Sequence, residues 1–232
     1  MSTTLLLKKL RIENKEFVTA EDIRIFCRTM RVEYDAVIRY FIKKGYLARI
    51  FRGIFYVKSL EELELGRTKY SHLELVAKGM ELKRVKNWYF GLHTALKMNN
   101  MTHEHFTIEE VVSDSIFRAR PIKIAGHGFK FVKLSRSLLD FGVVIDGGIR
   151  YSDPEKTILD FIYLWRYNGI PESKILADVS EWSKEASKDK LWKYSKKYPK
   201  TVSNLARRVK QPRGLLTINR SKEIARFDPT YE

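Results

Sequence analysis

The sequence predicts an α+β fold in two domains, residues 1–66 and 67–232. Three observations indicate this class: a helix, turn, helix and hairpin pattern over residues 19–58, short β-prone runs broken by glycine over residues 106–151, and strong helical periodicity after residue 152. With 232 residues, 44% of them hydrophobic, the chain can bury one or two cores.

The first helix of the pattern is predicted to begin after Thr19. A threonine hydroxyl is a good helix N-cap. Asp22 stands at the third helical position, where its carboxylate can accept the backbone N–H of Thr19. An apolar stripe at three- and four-residue spacing is formed by Ile23, Phe26, Cys27 and Met30. Cys27 is the only cysteine, so we expect a small core residue there and no intrachain disulfide.

The second helix is predicted at about residues 33–44, and Gly45 ends it in the left-handed conformation that glycine adopts most easily. Its buried stripe is formed by Tyr34, Val37, Ile38 and Phe41. Two β-prone runs then flank Phe51-Arg52-Gly53 and predict a hairpin with Arg52 at its tip. This order is typical of a winged helix-turn-helix, which places its second helix in the major groove of DNA.

Eight charged residues are candidates for DNA contact on this interpretation. The outward face of the second helix carries Glu33, Asp35, Arg39 and Lys43. Arginine pairs bidentately with guanine and carboxylates accept from cytosine, so this set could read bases. Contacts to phosphate or the minor groove are expected from Arg28, Arg31, Arg49 and Arg52. The alternative is that these charges form a solvated surface.

The net charge of +16 favours a polyanionic partner, because neutralising phosphates releases counterions. The charge gathers at the two ends: residues 1–58 hold 13 Lys and Arg against 6 acidic residues, and residues 171–232 hold 15 against 8. No run of about 18 apolar residues and no signal-peptide pattern occurs. We therefore expect no membrane association and a cytoplasmic location.

The second domain is predicted to combine several helices with a small antiparallel sheet. Helical structure is expected to about residue 78 and again over residues 88–98. Two glycine-containing segments, Gly126-His127-Gly128 and Asp146-Gly147-Gly148, fit hairpin turns better than phosphate-binding loops.

A further helix is predicted to start at Ser152-Asp153-Pro154-Glu155, where a cap, a proline and a glutamate agree. Later helices are expected at about residues 172–184, 188–197 and 200–209. The segment after Gln211 is expected to be loosely held.

Three segments resemble one known family: the basic hairpin GYLARIFRGIFYV, the helix-like YFGLHTAL, and SDPEKTILD. They are similar to segments of the AbiEi family, the antitoxin and transcriptional-repressor half of type IV toxin-antitoxin systems, also described as regulators of viral defence. The resemblance covers roughly residues 19–165. It implies a module that binds inverted repeats in its own promoter, and a C-terminal domain that neutralises a nucleotidyltransferase toxin. A homodimer would match such repeats.

Signals for catalysis are explained more simply by structure. Helix capping accounts for Asp153 and Glu155, and no nearby histidine or glycine-rich loop completes a site with Asp160. His103-Glu104-His105 lacks an obvious third metal ligand. No metal, cofactor or enzyme site is predicted.

A basic and aromatic mixture near the C-terminus has two interpretations, a nucleic-acid or acidic-protein surface and a helix with buried aromatics. Its members are Trp192, Lys193, Tyr194, Lys196, Lys197, Tyr198 and Lys200.

The sequence therefore predicts a sequence-specific DNA-binding repressor with an antitoxin role. The alternatives are a free-standing winged-helix transcription factor, whose second domain dimerises or senses a ligand, and a nucleic-acid-processing enzyme that uses the winged helix only for docking.

Overall fold

The computed structural model describes residues 2–209, without the side chains of residues 2–4 and 185. The α+β class is confirmed: ten α-helices surround a three-stranded and a six-stranded sheet in this part of the chain. The predicted tail after Gln211 lies outside the described residues. Within residues 2–209 no helix combines the length and apolar character needed to cross a membrane.

The N-terminal part has the element order of a winged helix-turn-helix. Its elements are α1 (Ser2–Ile12), β1 (Phe17–Thr19), α2 (Ala20–Met30), α3 (Tyr34–Lys43), β2 (Leu47–Phe51) and β3 (Ile54–Val57). The strands form an antiparallel sheet in the order β1-β3-β2. Sequence patterns did not predict α1, which has no acidic residue in its first turn, or β1, which is only three residues long.

The predicted caps are confirmed, and so are the two stripes except at Met30 and Tyr34, which are only partly buried. Asp22 donates its backbone N–H to Thr19 Oγ1 at 3.2 Å, and its carboxylate accepts the Thr19 N–H at 2.8 Å. Gly45 follows α3 with a φ of +75°. The core beneath the helices contains Leu6, Leu7, Leu10, Val18, Ile23, Phe26, Cys27, Val37, Ile38, Phe41, Leu47, Phe55 and Val57. Burial raises the pKa of the Cys27 thiol, as suits an unreactive core residue.

The second part of the chain adds seven helices and six strands among the described residues. The helices are α4 (Leu60–Glu64), α5 (His72–Leu82), α6 (Leu92–Met98), α7 (Pro154–Tyr167), α8 (Glu172–Trp182), α9 (Lys188–Ser195) and α10 (Lys200–Arg207). The strands are β4 (Trp88–Phe90), β5 (Ile108–Ser113), β6 (Arg118–Ile124), β7 (His127–Lys133), β8 (Val143–Asp146) and β9 (Ile149–Ser152).

The sheet of the second part is larger than expected and mixed. Its order is β6-β7-β5-β4-β9-β8, with β5 parallel to β7 and β4 parallel to β9. Whether two strands pair in parallel or antiparallel depends on which strands become neighbours after long connections. Short β-prone runs in the sequence do not carry that information. The two predicted glycine turns are confirmed, since β6-β7 and β8-β9 are antiparallel hairpins joined there.

The helix predicted over residues 88–98 is wrong in its first turn, which is β4. Trp88, Tyr89 and Phe90 are all buried, and aromatic residues suit a strand enclosed on both faces. The helix starts only after Gly91, as α6. The helical stretch predicted to residue 78 is interrupted, because α4 ends at Glu64 and α5 begins after the cap residue Ser71.

Helix α7 packs on β9, and α8, α9 and α10 pack on α7. A buried polar network lies along α7. Lys156 Nζ lies 2.7 Å from Asp160 Oδ1, and both side chains are fully buried. The hydroxyls of Tyr89 and Tyr198 each donate to Asp160 at 2.7 Å. Asp153 caps α7 by accepting the Lys156 N–H at 2.8 Å. The structural interpretation of these carboxylates is therefore supported by their contacts.

The hairpin β2-β3, called the wing below, is buried on both faces. One face covers the N-terminal core, and the other packs against α5 and the six-stranded sheet through Ile50, Phe51, Ile54 and Tyr56. The rings of Phe51 and Phe131 lie 5.7 Å apart. A Cβ on Gly79 of α5 would lie 2.7 Å from both Ile50 and Phe51, so the wing and α5 are in close contact.

Candidate nucleic-acid interface

The outward face of α3 carries a straight row of charged side chains. Asp35, Arg39 and Lys43 follow one another at four-residue spacing, so they share one side of the helix, and all three are exposed. The opposite side is held in the core by Val37, Ile38 and Phe41. Neither Arg39 nor Lys43 forms an ion pair within residues 2–209, so both cations are free to contact a partner.

Glu33 does not belong to that row. It is the N-cap of α3, and its carboxylate accepts the backbone N–H groups of Asp35 at 2.8 Å and Ala36 at 2.5 Å. These two bonds lower the pKa of Glu33. The sequence pattern predicted Glu33 inside the helix as a base-reading residue; the structure commits its carboxylate to the helix end instead.

A basic cleft of about 460 Å³ opens between the start of α3 and the tip of the wing. Asp35, Arg49 and Arg52 line it together with Arg24 of α2. The guanidinium of Arg24 lies 4.7 Å from the Tyr34 ring centre, and that of Arg49 lies 5.6 Å from the Phe55 ring centre. Stacking on the rings holds these cations in place while their donors remain available.

Arg24 is a site candidate that the sequence pattern did not single out, although it lies outside the buried stripe of α2. Glu21 bridges it to Arg28, at 3.8 Å and 3.7 Å, so the two arginines lie on one side of α2. Their four-residue spacing is the sequence signal that could have found Arg24.

Arg28 and Arg31 are exposed at the end of α2 and in the turn that follows. The side chain of Arg28 is 73% exposed. Arg31 adopts the left-handed conformation, with a φ of +53°, and its N–H caps the helix at Cys27 and Arg28. Arg31 is not among the residues that line the cleft at the wing, so the eight predicted residues do not form one cluster.

Further cations flank the wing from the second part of the chain. Lys83 Nζ lies 5.7 Å from the Phe51 ring centre, and Arg118 pairs in register with Phe131, which touches the same ring. Arg118 begins β6, an edge strand whose outer residues Arg120 and Lys123 are also exposed. We call Lys83, Arg118, Arg120 and Lys123 the basic ridge. None of these four forms an ion pair within the described residues.

Comparison with protein-family models and with the sequences of curated proteins gives no match. A structural match is found with the crystal structure of the RV2827C protein from Mycobacterium tuberculosis. It has a TM-score of 0.56 and 11% sequence identity, and it covers 90% of this chain and 75% of that one. At this identity the likeness shows the fold alone.

The remaining candidate residues lie outside this interface. No group of three or more His, Cys, Asp or Glu side chains there could hold a metal ion, and this includes His103 and His105. The basic and aromatic residues near the C-terminus differ in exposure. Tyr198 is buried, whereas Trp192 is 36% exposed, with the guanidinium of Arg207 4.1 Å from its ring centre.

Proposed function

We propose that this chain is a sequence-specific, double-stranded DNA-binding transcription regulator. The observation that carries the proposal is the exposed, unpaired row of Arg39 and Lys43 on α3. Arg49 and Arg52 of the wing line a cleft with Asp35, the first residue of the same row. A winged helix with cations on its outward helix and its hairpin tip matches the shape and charge of a duplex, and the net charge of +16 strengthens that attraction.

In this proposal α3 enters the major groove and the wing tip contacts the flanking backbone or minor groove. Arg39 would pair with guanine, and Asp35 would accept from cytosine. Arg28, Arg31 and Arg52 would neutralise phosphates. The Glu33 carboxylate is committed to capping, so we do not assign it a base contact.

The resemblance to the AbiEi family extends the proposal to a repressor of its own operon and an antitoxin. Inverted repeats in the promoter would be bound by a homodimer, and the second partner would be a cognate nucleotidyltransferase toxin. A cytoplasmic location and the absence of an enzymatic cofactor belong to the same proposal. A nucleotidyltransferase gene beside this one would support the antitoxin role.

Two other functions remain candidates. A free-standing winged-helix transcription factor would have no adjacent toxin gene, and its second part would dimerise or sense a ligand. A nucleic-acid-processing enzyme would show nuclease or nucleotidyl-transfer activity in the purified protein, assayed with and without divalent metal.

The central test is fluorescence anisotropy with a duplex from the chain's own upstream region and with a scrambled duplex. We expect Arg39→Ala to weaken binding to the cognate duplex by about 1 to 3 kcal/mol, because the alanine cannot form the bidentate bond to guanine. Binding to the scrambled duplex should change much less.

Arg136→Ala is the matched control, because it removes the same charge from an exposed position far along the chain. Equal weakening on both duplexes would show that Arg39 does not read bases. Failure of the wild-type protein to distinguish the duplexes at two salt concentrations would refute sequence-specific binding.

A further inference from the structure

A cleft of about 800 Å³ lies on the N-terminal part, away from the row on α3. Its walls are the end of α1 with the loop that follows it, and α4; its floor is the end of β3. Pockets of this size hold small organic molecules in other proteins. Nothing in the proposed DNA contacts uses this cleft.

Arg11 is the feature of the cleft that needs a partner. Its Nε and Nη2 atoms are buried, yet within residues 2–209 neither has a hydrogen-bond partner. Its guanidinium lies 5.8 Å from the ring centre of Tyr46. Buried guanidinium donors without acceptors are costly, and carboxylate, phosphate or sulfonate oxygens satisfy them best.

The charges around the cleft favour an anion. Lys58 and Arg67 line it and form no ion pair within the described residues. Five cations and three acids line the cleft, and one of the acids, Glu61, is exposed. The carboxylates of the other two are occupied: Glu16 accepts from Lys69 and Tyr70, and Glu62 accepts from Tyr56, Ser59 and Lys69. These bonds keep the pKa of both acids below the ordinary value, in Glu62 against the opposing effect of burial.

Part of the lining is apolar. Leu60 of α4 and Leu65 at its C-cap are 60% and 54% exposed, and they face the cleft together with Leu10, Tyr56 and Val57. Exposed leucines beside unpaired cations suit a ligand with an apolar body and one anionic group.

We propose that this cleft binds a small organic anion, held by Arg11, Lys58 and Arg67 and packed against Leu60 and Leu65. Tyr46 follows Gly45 at the end of α3, and its carbonyl accepts the Lys58 N–H at 3.0 Å. A ligand that draws Arg11 away from the Tyr46 ring therefore acts next to the end of α3. This consequence for DNA rests on the proposed function, whereas binding of the ligand does not.

Two fluorescent dyes test the site without DNA. 1-Anilinonaphthalene-8-sulfonate has an apolar body and an anionic group, and N-phenyl-1-naphthylamine has the same body without the charge. We expect saturable binding of the sulfonate at one site per chain, about 10-fold weaker in Arg11→Gln because a charge-assisted hydrogen bond is removed. The neutral dye should bind Arg11→Gln and the wild type alike, and Leu60→Gln should weaken both dyes.

Lys8→Gln is the control, an exposed cation on α1 outside the cleft lining. Circular dichroism establishes that each variant is folded. Unchanged sulfonate binding in Arg11→Gln, or equal changes for both dyes, would overturn the proposal. Displacement of the dye by inorganic phosphate as readily as by benzoate would refute the need for an organic body. Loss of sulfonate binding as the protein concentration rises would show that a second copy of the chain, and not a small anion, occupies the cleft.

Discussion

Lys156 is a charged side chain with no exposed surface. Burial lowers its pKa, and the adjacent carboxylate of Asp160 opposes that shift. Its Nζ also donates to the Tyr198 hydroxyl at 2.8 Å. Removing either Lys156 or Asp160 leaves the other as an unpaired buried charge. The stability of the protein is therefore expected to be sensitive to a single substitution at either position.

Asp160→Leu should therefore lower the free energy of unfolding by about 3 to 5 kcal/mol, the cost of leaving a buried charge alone. The double variant Lys156→Met with Asp160→Leu should recover only part of that stability. It leaves no unpaired buried charge, but the hydroxyls of Tyr89 and Tyr198 lose their acceptor. Urea unfolding measures both, with Asp146→Leu as an exposed control. A double variant no more stable than the single would contradict the pairing.

His127 is a pH-dependent position. Its ring stacks on His72 with the centres 3.9 Å apart. Burial, and then the neighbouring His72, lower the pKa of His127 below its ordinary 6.5. In nearby Glu109 burial opposes ionisation, but hydrogen bonds from His72, Lys97 and Thr94 lower the pKa to about 2.

The direction in which stability changes with pH follows from proton uptake. Between the two pKa values of His127 the unfolded chain binds more protons than the folded one, so stability falls as pH drops below about 6.5. The Glu109 contribution is lost separately, as pH falls from about 4.5 towards 2. We expect His127→Gln to flatten the fall in melting temperature between pH 7 and 5.5. His105→Gln, an exposed histidine, should not flatten it; identical profiles for all three proteins would contradict this role.

At the scale of elements, the contact between the wing and α5 depends on one glycine. A side chain at Gly79 would meet Ile50 and Phe51 at 2.7 to 2.8 Å. Gly79→Val should destabilise the protein by about 1 to 3 kcal/mol through overpacking. Lys78→Val is the control on the same helix, since Lys78 is exposed. Thermal unfolding distinguishes them, and equal stability of the two variants would show that the contact is loose.

Elements with local signals could be predicted from the sequence. The capped start of α2 at Thr19, the end of α3 at Gly45 and the start of α7 at Pro154 each depend on bonds within a few residues. Elements whose structure depends on residues distant in sequence could not be predicted. Residues 88–90 match a helical stripe, and only enclosure between β5 and β9 makes them a strand.

The candidate site was predictable to a similar extent. Periodicity identified the outward row of α3, and the hairpin pattern identified Arg52 at the wing tip. The cap role of Glu33 was missed because one residue at a helix boundary changes the role of its side chain. The basic ridge was missed because it depends on β6 lying beside the wing, a long-range contact.

At the scale of the whole molecule, the basic ridge would extend the proposed DNA interface beyond the winged helix. The double variant Arg118→Gln with Arg120→Gln should reduce the salt dependence of binding, by about 0.9 in the log-log slope for each phosphate that is no longer neutralised. The preference for the cognate over a scrambled duplex should persist, because these residues would meet phosphates rather than bases.

The matched control is Arg136→Gln with Lys184→Gln, which removes the same charge from two exposed positions outside the ridge. Anisotropy titrations over a range of salt concentrations give the slopes. An unchanged slope in the ridge variant, or the same reduction in the control, would show that the ridge does not touch DNA.

Burial of the outer face of the wing means that residues 1–66 are not an independently exchangeable unit. Recombination that joined residues 1–66 to an unrelated effector would leave Ile50, Ile54 and Tyr56 facing water, and the hybrid would self-associate. If α3 reads DNA as proposed, new target preferences are therefore expected to evolve by substitution along its outward row, with the two parts of the chain inherited together, rather than by gene shuffling.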